Sequence, residues 1–193
     1  MSINLSKNSS ISLTKKVPKL SEITIGLGWD VAQEKKGFFS SLFGSDSSID
    51  LDASCILLSN ELNIIDMVWY AKLASDCGAV NHKGDNRTGE GDGDDEQIKV
   101  SLQRLPSNVK HIAIVVNSYT GQTFEKVANA FCRVMDQSLK ETCRFTLSEQ
   151  GSHTGVFIGL LTYNNNEWHF ASKGIPISGR TAQDLSRHII ANI

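Results

Sequence analysis

Residues 84–96 read Gly-Asp-Asn-Arg-Thr-Gly-Glu-Gly-Asp-Gly-Asp-Asp-Glu, the most acidic stretch of the chain. Its last twelve residues hold six carboxylates against one cation, Arg87, so their net charge is −5, whereas the whole chain carries −2. Like charges at this density repel, and interleaved glycines add conformational entropy that folding must remove. Calcium compensates for both, because it prefers carboxylate, carboxamide and backbone carbonyl oxygens. The stretch therefore predicts a calcium loop; the alternative is a solvated acidic loop without an ion.

This acidic stretch matches an EF-hand loop only at its two ends. Asp85 and Glu96 fit the first and last positions, but Arg87 stands where that pattern has Asp or Asn, and Glu90 stands where it has Gly. Residues 97–102 alternate like a strand, and no amphipathic helix precedes the loop. The sequence therefore excludes an EF-hand and places the acidic stretch just before a strand.

Short alternating or apolar segments surround the acidic stretch on both sides. The segments predicted as strands are 11–14, 23–29, 49–58, 64–70, 98–102, 111–116, 143–147, 155–163 and 167–171. Residues 71–83 are turn-rich, and residues 121–136 predict a short helical turn followed by a strand. Many short strands without a βαβ rhythm predict an all-β fold, an antiparallel β-sandwich with short helices.

The C-terminal third of the chain carries two local signals. Residues 164–166 are Asn-Asn-Asn and predict a hairpin turn between two strands. Thr181 and Asp184 form a capping-box pattern before residues 185–190, which predicts a C-terminal helix.

Candidate ligands also occur in two of the predicted strands. Gly26 and Gly28 indicate a bulge or a close backbone approach, and Asp30 follows at a strand end from which it can reach a loop site. Asp50 and Asp52 lie on one face of the next strand, where two carboxylates at positions i and i+2 are unfavourable neighbours without a cation. They could equally belong to an ordinary solvent-facing surface.

An insert rich in Ser and Gly occupies residues 31–48 and holds Phe38, Phe39 and Phe43. A flexible loop is the simpler interpretation, whereas exposed aromatic side chains would indicate a docking patch for a partner or a lipid surface. The prediction is one domain over residues 1–193 that contains this insert.

Composition excludes several classes of protein. The pI of 6.2 gives no basic surface for direct nucleic-acid binding, and no stretch is apolar enough to form a transmembrane segment. The N-terminus lacks the pattern of a signal peptide, so a cytoplasmic location is expected. The cysteines form no C-x-x-C pair and are expected to be reduced and mostly structural; they are Cys55, Cys77, Cys132 and Cys143.

Several motifs resemble the TerD family of bacterial tellurium-resistance and general-stress proteins. In chain order they are Val17-Pro18, Gly26-Leu-Gly-Trp-Asp30, Ile49-Asp-Leu-Asp-Ala-Ser54 and the acidic stretch 84–96, followed by Gln122-Thr-Phe124 and the Glu167-Trp168 hairpin. The resemblance covers nearly the whole chain from about Ile11. Within the family, the long insert is most similar to the TerZ branch.

This resemblance implies a function and a set of ligands. It implies a β-sandwich that binds a pair of calcium ions, has no enzymatic activity, and acts in resistance to tellurite and other stresses. It also implies other Ter proteins as partners, in a cytoplasmic assembly peripheral to the inner membrane. Carried over by position, the implied ligands are Asp85, Asn86, Asp92, Asp94, Asp95 and Glu96, main-chain oxygens near Thr88, Gly89 and Gly91, and the side chains of Asp30, Asp50 and Asp52.

Three other functions are alternatives. A metal-dependent hydrolase or transferase needs a proton carrier, and His82, the histidine closest to the acidic stretch in sequence, stands beside a turn where a lone histidine is more often on the surface. Direct tellurite chemistry by thiols is not supported by the cysteine spacing. The third alternative is calcium-bridged binding of a phosphate-bearing lipid or nucleotide, for which the ion would supply the positive charge.

Overall fold

The computed structural model describes residues 1–31, 50–84, 93–148 and 150–193. Within these ranges the chain forms two β-sheets with a shared core, a short helix α1 (Leu13–Lys16) and a C-terminal helix α2 (Ala182–Ile190). The predicted all-β sandwich with short helices and a C-terminal helix is confirmed. Neither of these helices has the length and apolar character needed to cross a bilayer.

The described strands belong to two sheets, here called sheet A and sheet B. In spatial order, sheet A consists of β1 (Ile3–Leu5), β10 (Glu141–Thr146), β9 (Val127–Asp136), β3 (Glu22–Val31), β7 (Glu96–Ser101) and β6 (Val80–His82). Sheet B consists of β2 (Ser10–Ser12), β12 (Glu167–Ile177), β11 (Gly155–Asn164), β8 (His111–Ser118), β4 (Leu51–Leu58) and β5 (Ile64–Val68). Neighbouring strands pair antiparallel, except that β1 runs parallel to β10.

The main core lies between the two sheets because alternate side chains of the central strands point inward. Ile25 and Ile98 from sheet A, and Cys55 and Ile114 from sheet B, are all completely buried in one apolar cluster. Burial of this kind is the principal favourable contribution to folding.

A second apolar cluster covers the outer face of sheet B. Leu185 and Ile189 of α2 pack there with Ile56 of β4 and residues of β8 and β11. Both faces of β4 are therefore buried, including Asp52 and Ser54. The alternative that Asp52 belongs to an ordinary solvent-facing surface is wrong, because further structure covers that face.

Several local predictions are confirmed. Asn165 and Asn166 have φ values of 50° and 61° between β11 and β12, which suits the two-residue turn of a tight hairpin. Thr181 Oγ1 accepts a hydrogen bond from the Asp184 backbone N–H, and the Asp184 side chain accepts one from the Thr181 N–H, so the capping box is present. Residues 121–136 contain a single 3-10 turn at Phe124–Lys126 and then β9, as expected.

Two predictions fail at short elements. Residues 11–14 do not form one strand, because the Ser12 side chain accepts a hydrogen bond from the Lys15 N–H and starts α1 at Leu13. The turn-rich segment 71–83 ends in β6, a strand that exists because it pairs with β7.

The cysteines behave as core residues where they are buried. Cys55, Cys132 and Cys143 are completely buried and free, and Cys77 is half-buried and free. Burial raises the pKa of Cys55 and of Cys143 to about 12, and raises that of Cys132 well above its ordinary value. Because the thiolate is the reactive form, these three thiols are poorly suited to chemistry at neutral pH.

Candidate metal centre

One end of the sandwich collects the predicted site residues. β3 finishes there just after Asp30, β4 begins there just after Asp50, and β7 begins there at Glu96. Asp94 and Asp95 immediately precede β7, and Leu27 near the end of β3 is the register partner of Glu96. The fold therefore brings acidic residues from distant parts of the sequence to one edge.

The Asp94 carboxylate lies on the outer face of sheet A, over the backbone of Gly26. Its side chain is completely buried; Oδ1 accepts a hydrogen bond from Arg133 Nε at 2.7 Å, and Oδ2 accepts one from Gln97 Nε2 at 2.9 Å. Arg133 and Gln97 are the register partners of Gly26 on the two neighbouring strands. Asp94 is thereby anchored to the sheet, while its role as a ligand stays a prediction.

Asp95 binds β3 through both its backbone and its side chain. Its N–H donates to the Leu27 carbonyl at 2.7 Å, and its Oδ2 accepts from the Trp29 N–H at 2.8 Å. Burial raises the pKa of the Asp95 carboxyl; the hydrogen bond from Trp29 opposes this, and the charges of Asp30 and Asp94 reinforce it. The repulsion between these carboxylates is of the kind that a bound cation relieves.

Asp30 lies at the exposed end of β3, close to the segment that precedes β7. Its Oδ2 accepts a hydrogen bond from Asn129 Nδ2 at 2.7 Å. A Cβ on the nearby Gly28 would lie only 2.7 Å from the Gly93 carbonyl oxygen, so the segment passes directly over β3. The predicted bulge or close backbone approach is confirmed at Gly28, where the register with β9 also shifts before Asp30; at Gly26 the group that approaches is the Asp94 side chain.

Glu96 connects the two sheets at this end. Its side chain is completely buried; Oε2 accepts a hydrogen bond from the Ala53 N–H of β4 at 2.5 Å and lies 3.4 Å from His82 Nε2. His82 Nδ1 accepts from the Gly84 N–H at 3.2 Å, so the imidazole ring joins both ends of the acidic stretch. The expectation that His82 lies on the surface is wrong, because the pairing of β6 with β7 buries its ring.

Asp50 and Asp52 approach the same end from sheet B. Asp52 is buried on the outer face and is the register partner of Asn117 on β8, and Asp50 precedes β4 in a half-buried position. Burial raises the pKa of Tyr70, and its contact with Tyr119 and the charge of Asp52 raise it further. Tyr70 and Tyr119 themselves form an aromatic pair, with ring centroids 5.3 Å apart.

The described residues account for half of the predicted ligand set. Outside the described ranges lie the predicted ligands Asp85, Asn86, Thr88, Gly89, Gly91 and Asp92, and all of the insert except its first residue. Inside those ranges, no three His, Cys, Asp or Glu side chains form a complete metal-binding group. The donors that are present are oxygens carried by strand ends, and this chemistry fits a hard cation such as calcium.

The whole chain can be compared with known proteins at this point. The family model described as the TerD domain matches residues 1–186. The chain belongs to the TerD family. The predicted family is thereby confirmed.

Relatives within the TerD family span almost all of this chain. Tellurium resistance protein TerZ of Serratia marcescens is 51% identical over 191 residues, which cover 99% of this chain and 98% of that protein. Tellurium resistance protein TerD of the same organism is 39% identical, over 97% of each chain. The higher identity with TerZ agrees with the predicted branch. Stress response protein SCP2 of Bacillus subtilis is 37% identical, over 98% of this chain and 100% of that protein.

A solved structure shares the fold of this TerD protein. The crystal structure of a homologue of telluride resistance protein (TerD) from Streptomyces coelicolor A3(2) superposes with a TM-score of 0.68 at 18% sequence identity. The match covers 86% of this chain and 95% of that chain. At this identity the likeness shows the shared β-sandwich.

Several residues of the TerD site were not singled out by the sequence. Arg133 and Gln97 hold Asp94, and Ala53 offers a backbone N–H to Glu96. Arg133 lies on the outward face of β9 between Cys132 and Val134, both buried in the core, so the alternation could have marked it as outward-facing. Its partner depends on the order of strands in the sheet.

Proposed function

We propose that this TerD protein is a calcium-binding stress-response protein that acts in tellurite resistance as a non-enzymatic scaffold or sensor. The names of its relatives, which are tellurium-resistance and stress-response proteins, support the stress role. Its proposed partners are other Ter proteins, in a cytoplasmic assembly peripheral to the inner membrane. Two calcium ions are proposed, bound by the acidic stretch together with Asp30, Asp50 and Asp52.

The observation that carries the calcium proposal is the fixation of both ends of the acidic stretch. At one end, Asp94 and Asp95 are hydrogen-bonded to sheet A, and Glu96 reaches across to sheet B. At the other end, the Gly84 N–H donates to the buried His82 ring. Ligands held on rigid elements lose less freedom when an ion binds, so the acidic stretch has a preorganised base.

A bound calcium ion would offset the −5 charge of the loop and its like-charge repulsion. The loop could then present a surface whose charge and order depend on calcium, which is what a partner of a scaffold or sensor would recognise. The charge count and rigid base suggest affinity on the order of micromolar or tighter.

The geometry around His82 does not favour the metal-dependent hydrolase. A proton carrier must reach substrate or water. The His82 side chain is only 1% exposed, and its two nitrogens face Gly84 and Glu96. This arrangement suits support of the loop better than transfer of protons.

Calorimetric titration of calcium into the chelator-stripped full-length protein tests the proposal. We expect binding in the wild type and clear weakening in Asp95→Asn, in which the amide oxygen can still accept the Trp29 hydrogen bond. Glu61→Gln is the matched control, because it removes the same charge from an exposed loop at the far end of β4. Absence of calcium binding in the wild type would overturn the calcium proposal, and equal weakening in both variants would show only a general charge effect.

The stress role needs a separate test in cells. A strain that depends on this gene for growth on tellurite would be complemented with the wild type, Asp95→Asn or Glu61→Gln at matched expression. We expect Asp95→Asn alone to fail and to lose calcium-dependent capture of other Ter proteins. If Asp95→Asn binds calcium weakly and still gives full resistance to tellurite, resistance does not depend on calcium binding. Capture by anionic vesicles in calcium, without Ter partners, would favour the phosphate-binding alternative.

A further inference from the structure

Asp52, Asn117 and Gly155 form a row across three neighbouring strands of sheet B. Asp52 on β4 and Gly155 on β11 are the register partners of Asn117 on β8. The residues that alternate with them on these strands, such as Leu51, Val116 and Val156, belong to the core between the sheets. The row therefore lies on the outer face of sheet B, at the end where the acidic residues gather.

The amide group of Asn117 has a defined orientation. Its Nδ2 donates a hydrogen bond of 2.7 Å to the Arg180 backbone carbonyl, and a carbonyl can only accept, so the NH2 group must occupy that side. The segment that carries Arg180 is also held at Thr154, the residue just before β11, whose Oγ1 donates a hydrogen bond to the Gly179 carbonyl. The carbonyl oxygen, Oδ1, is therefore the amide atom that this bond does not engage, and Asp52 is the register partner of Asn117 on β4.

Asn117 Oδ1 is the informative atom of this row. Asn117 is 1% exposed, and no hydrogen bond reaches Oδ1 from any of the described residues. Leaving a buried acceptor without a donor is unfavourable. Its neighbour across the strand pair, Asp52, is also buried and is an acceptor when ionised, so Asp52 does not supply a proton in that state. The Arg180 guanidinium lies beside Gly121, and no described hydrogen bond joins it to Asn117.

We propose that Asn117 is a ligand of a hard divalent cation, binding through Oδ1 beside the carboxylate of Asp52. Asn side-chain oxygens and carboxylates are both normal calcium ligands. This inference rests on the proposed calcium function and deepens it, because it assigns one of the two ions to the outer face of sheet B. Asn117 lies outside every motif that predicted a ligand, and its residue type alone gave no signal.

Two substitutions at Asn117 distinguish a ligand from a structural residue, since both remove the hydrogen bond to Arg180. Asn117→Ala also removes the oxygen, whereas Asn117→Asp keeps an oxygen and adds a charge beside Asp52. We expect Asn117→Ala to lose one calcium site or to weaken it by roughly tenfold or more. Asn117→Asp should retain or strengthen that site, melt at lower temperature in chelator because of like-charge repulsion, and recover its melting temperature in calcium.

The measurements are calcium calorimetry and thermal melting with and without chelator, on the full chain. Ser54→Ala is the matched control, because it alters another buried polar side chain on the outer face of β4. If the wild type binds calcium and both Asn117 variants bind it with the same affinity as the wild type, or with equally weakened affinity, the role of Asn117 is overturned. The calcium function would then remain intact. A wild type that binds no calcium would refute the calcium function itself, and the inference with it.

Discussion

The Asp94 carboxylate occupies the space that a side chain at Gly26 would fill. A Cβ built on Gly26 would lie 2.1 Å from Asp94 Oδ2, far inside van der Waals contact. Because Arg133 and Gln97 hold that carboxylate on both sides, it cannot move without losing its partners. The glycine of a central strand is therefore coupled to the acidic stretch that ends some seventy residues later.

Gly26→Ala should consequently destabilise the protein although alanine is small. The methyl group would displace a buried carboxylate from Arg133, and breaking such a pair costs roughly 3–5 kcal/mol. Arg133 is partly exposed, so we expect a loss of about 2–4 kcal/mol in the free energy of unfolding. Urea denaturation followed by circular dichroism measures it.

A double-mutant cycle assigns the cause of that loss. In Asp94→Ala the displaced group is absent, so adding Gly26→Ala should change the stability much less than it does in the wild type. Equal effects of Gly26→Ala in both backgrounds would show that the strand, and not Asp94, is sensitive to the methyl group.

Glu96 should have separable structural and calcium-dependent roles. Glu96→Ala leaves the buried Ala53 N–H without its acceptor and should cost about 1–3 kcal/mol in any buffer. Glu96→Gln keeps an oxygen for that N–H, so we expect a melting temperature close to that of the wild type in chelator and a reduced rise when calcium is added. Thermal melts in both buffers measure this. A full calcium-induced rise in Glu96→Gln would remove Glu96 from the proposed ligands.

Asp66 should stabilise the fold in a pH-dependent manner. Burial raises the pKa of its carboxyl, but hydrogen bonds from Lys72 Nζ and from the N–H groups of Asp76 and Met67 outweigh burial and lower it overall. A group whose folded pKa is lowered stabilises the protein above its unfolded pKa, and this contribution is lost as the pH falls through the folded pKa. We expect Asp66→Asn to lose roughly 1–2 kcal/mol at neutral pH.

Urea denaturation at several pH values between neutral and acidic measures the free energy of unfolding of Asp66→Asn and of the wild type. The difference between these two free energies should shrink as the pH falls below about 4. Asp76→Asn is the control, because this carboxylate also contacts Lys72, at 2.8 Å, but its side chain is 85% exposed, and its removal should matter little. A difference for Asp66→Asn that stays constant with pH would contradict the role of its charge.

The N-cap of α2 should contribute to the stability of the whole domain. Thr181→Ala removes the acceptor for the Asp184 N–H, and loss of such a cap costs about 1 kcal/mol. The effect should appear in global unfolding because α2 buries Leu185 and Ile189 against sheet B. Gln183→Ala, at an exposed position of the same helix, should be close to neutral. Similar losses in both variants would show that the cap bond is not the cause.

Local features of this TerD protein could be predicted from its sequence because each depends on neighbouring residues. The alternation of β3, the apolar run of β8, the Asn165–Asn166 turn and the capping box of α2 all follow from patterns a few residues long. The close backbone approach at Gly28 was predictable for the same reason. Where a short segment had two local options, as at Ser12, a side-chain cap overrode the strand pattern.

The sequence by itself determined the composition of the acidic stretch. That composition was enough to predict a bound cation. The tertiary structure alone decided which side chains meet there: Arg133 with Asp94, His82 with Glu96, and Asn117 beside Asp52. The physical reason is that these contacts are set by strand order and register, which bring together residues 14 to 65 positions apart. Local propensity contains no information about such pairings, because their energies depend on burial and on partners that only the assembled sheets provide.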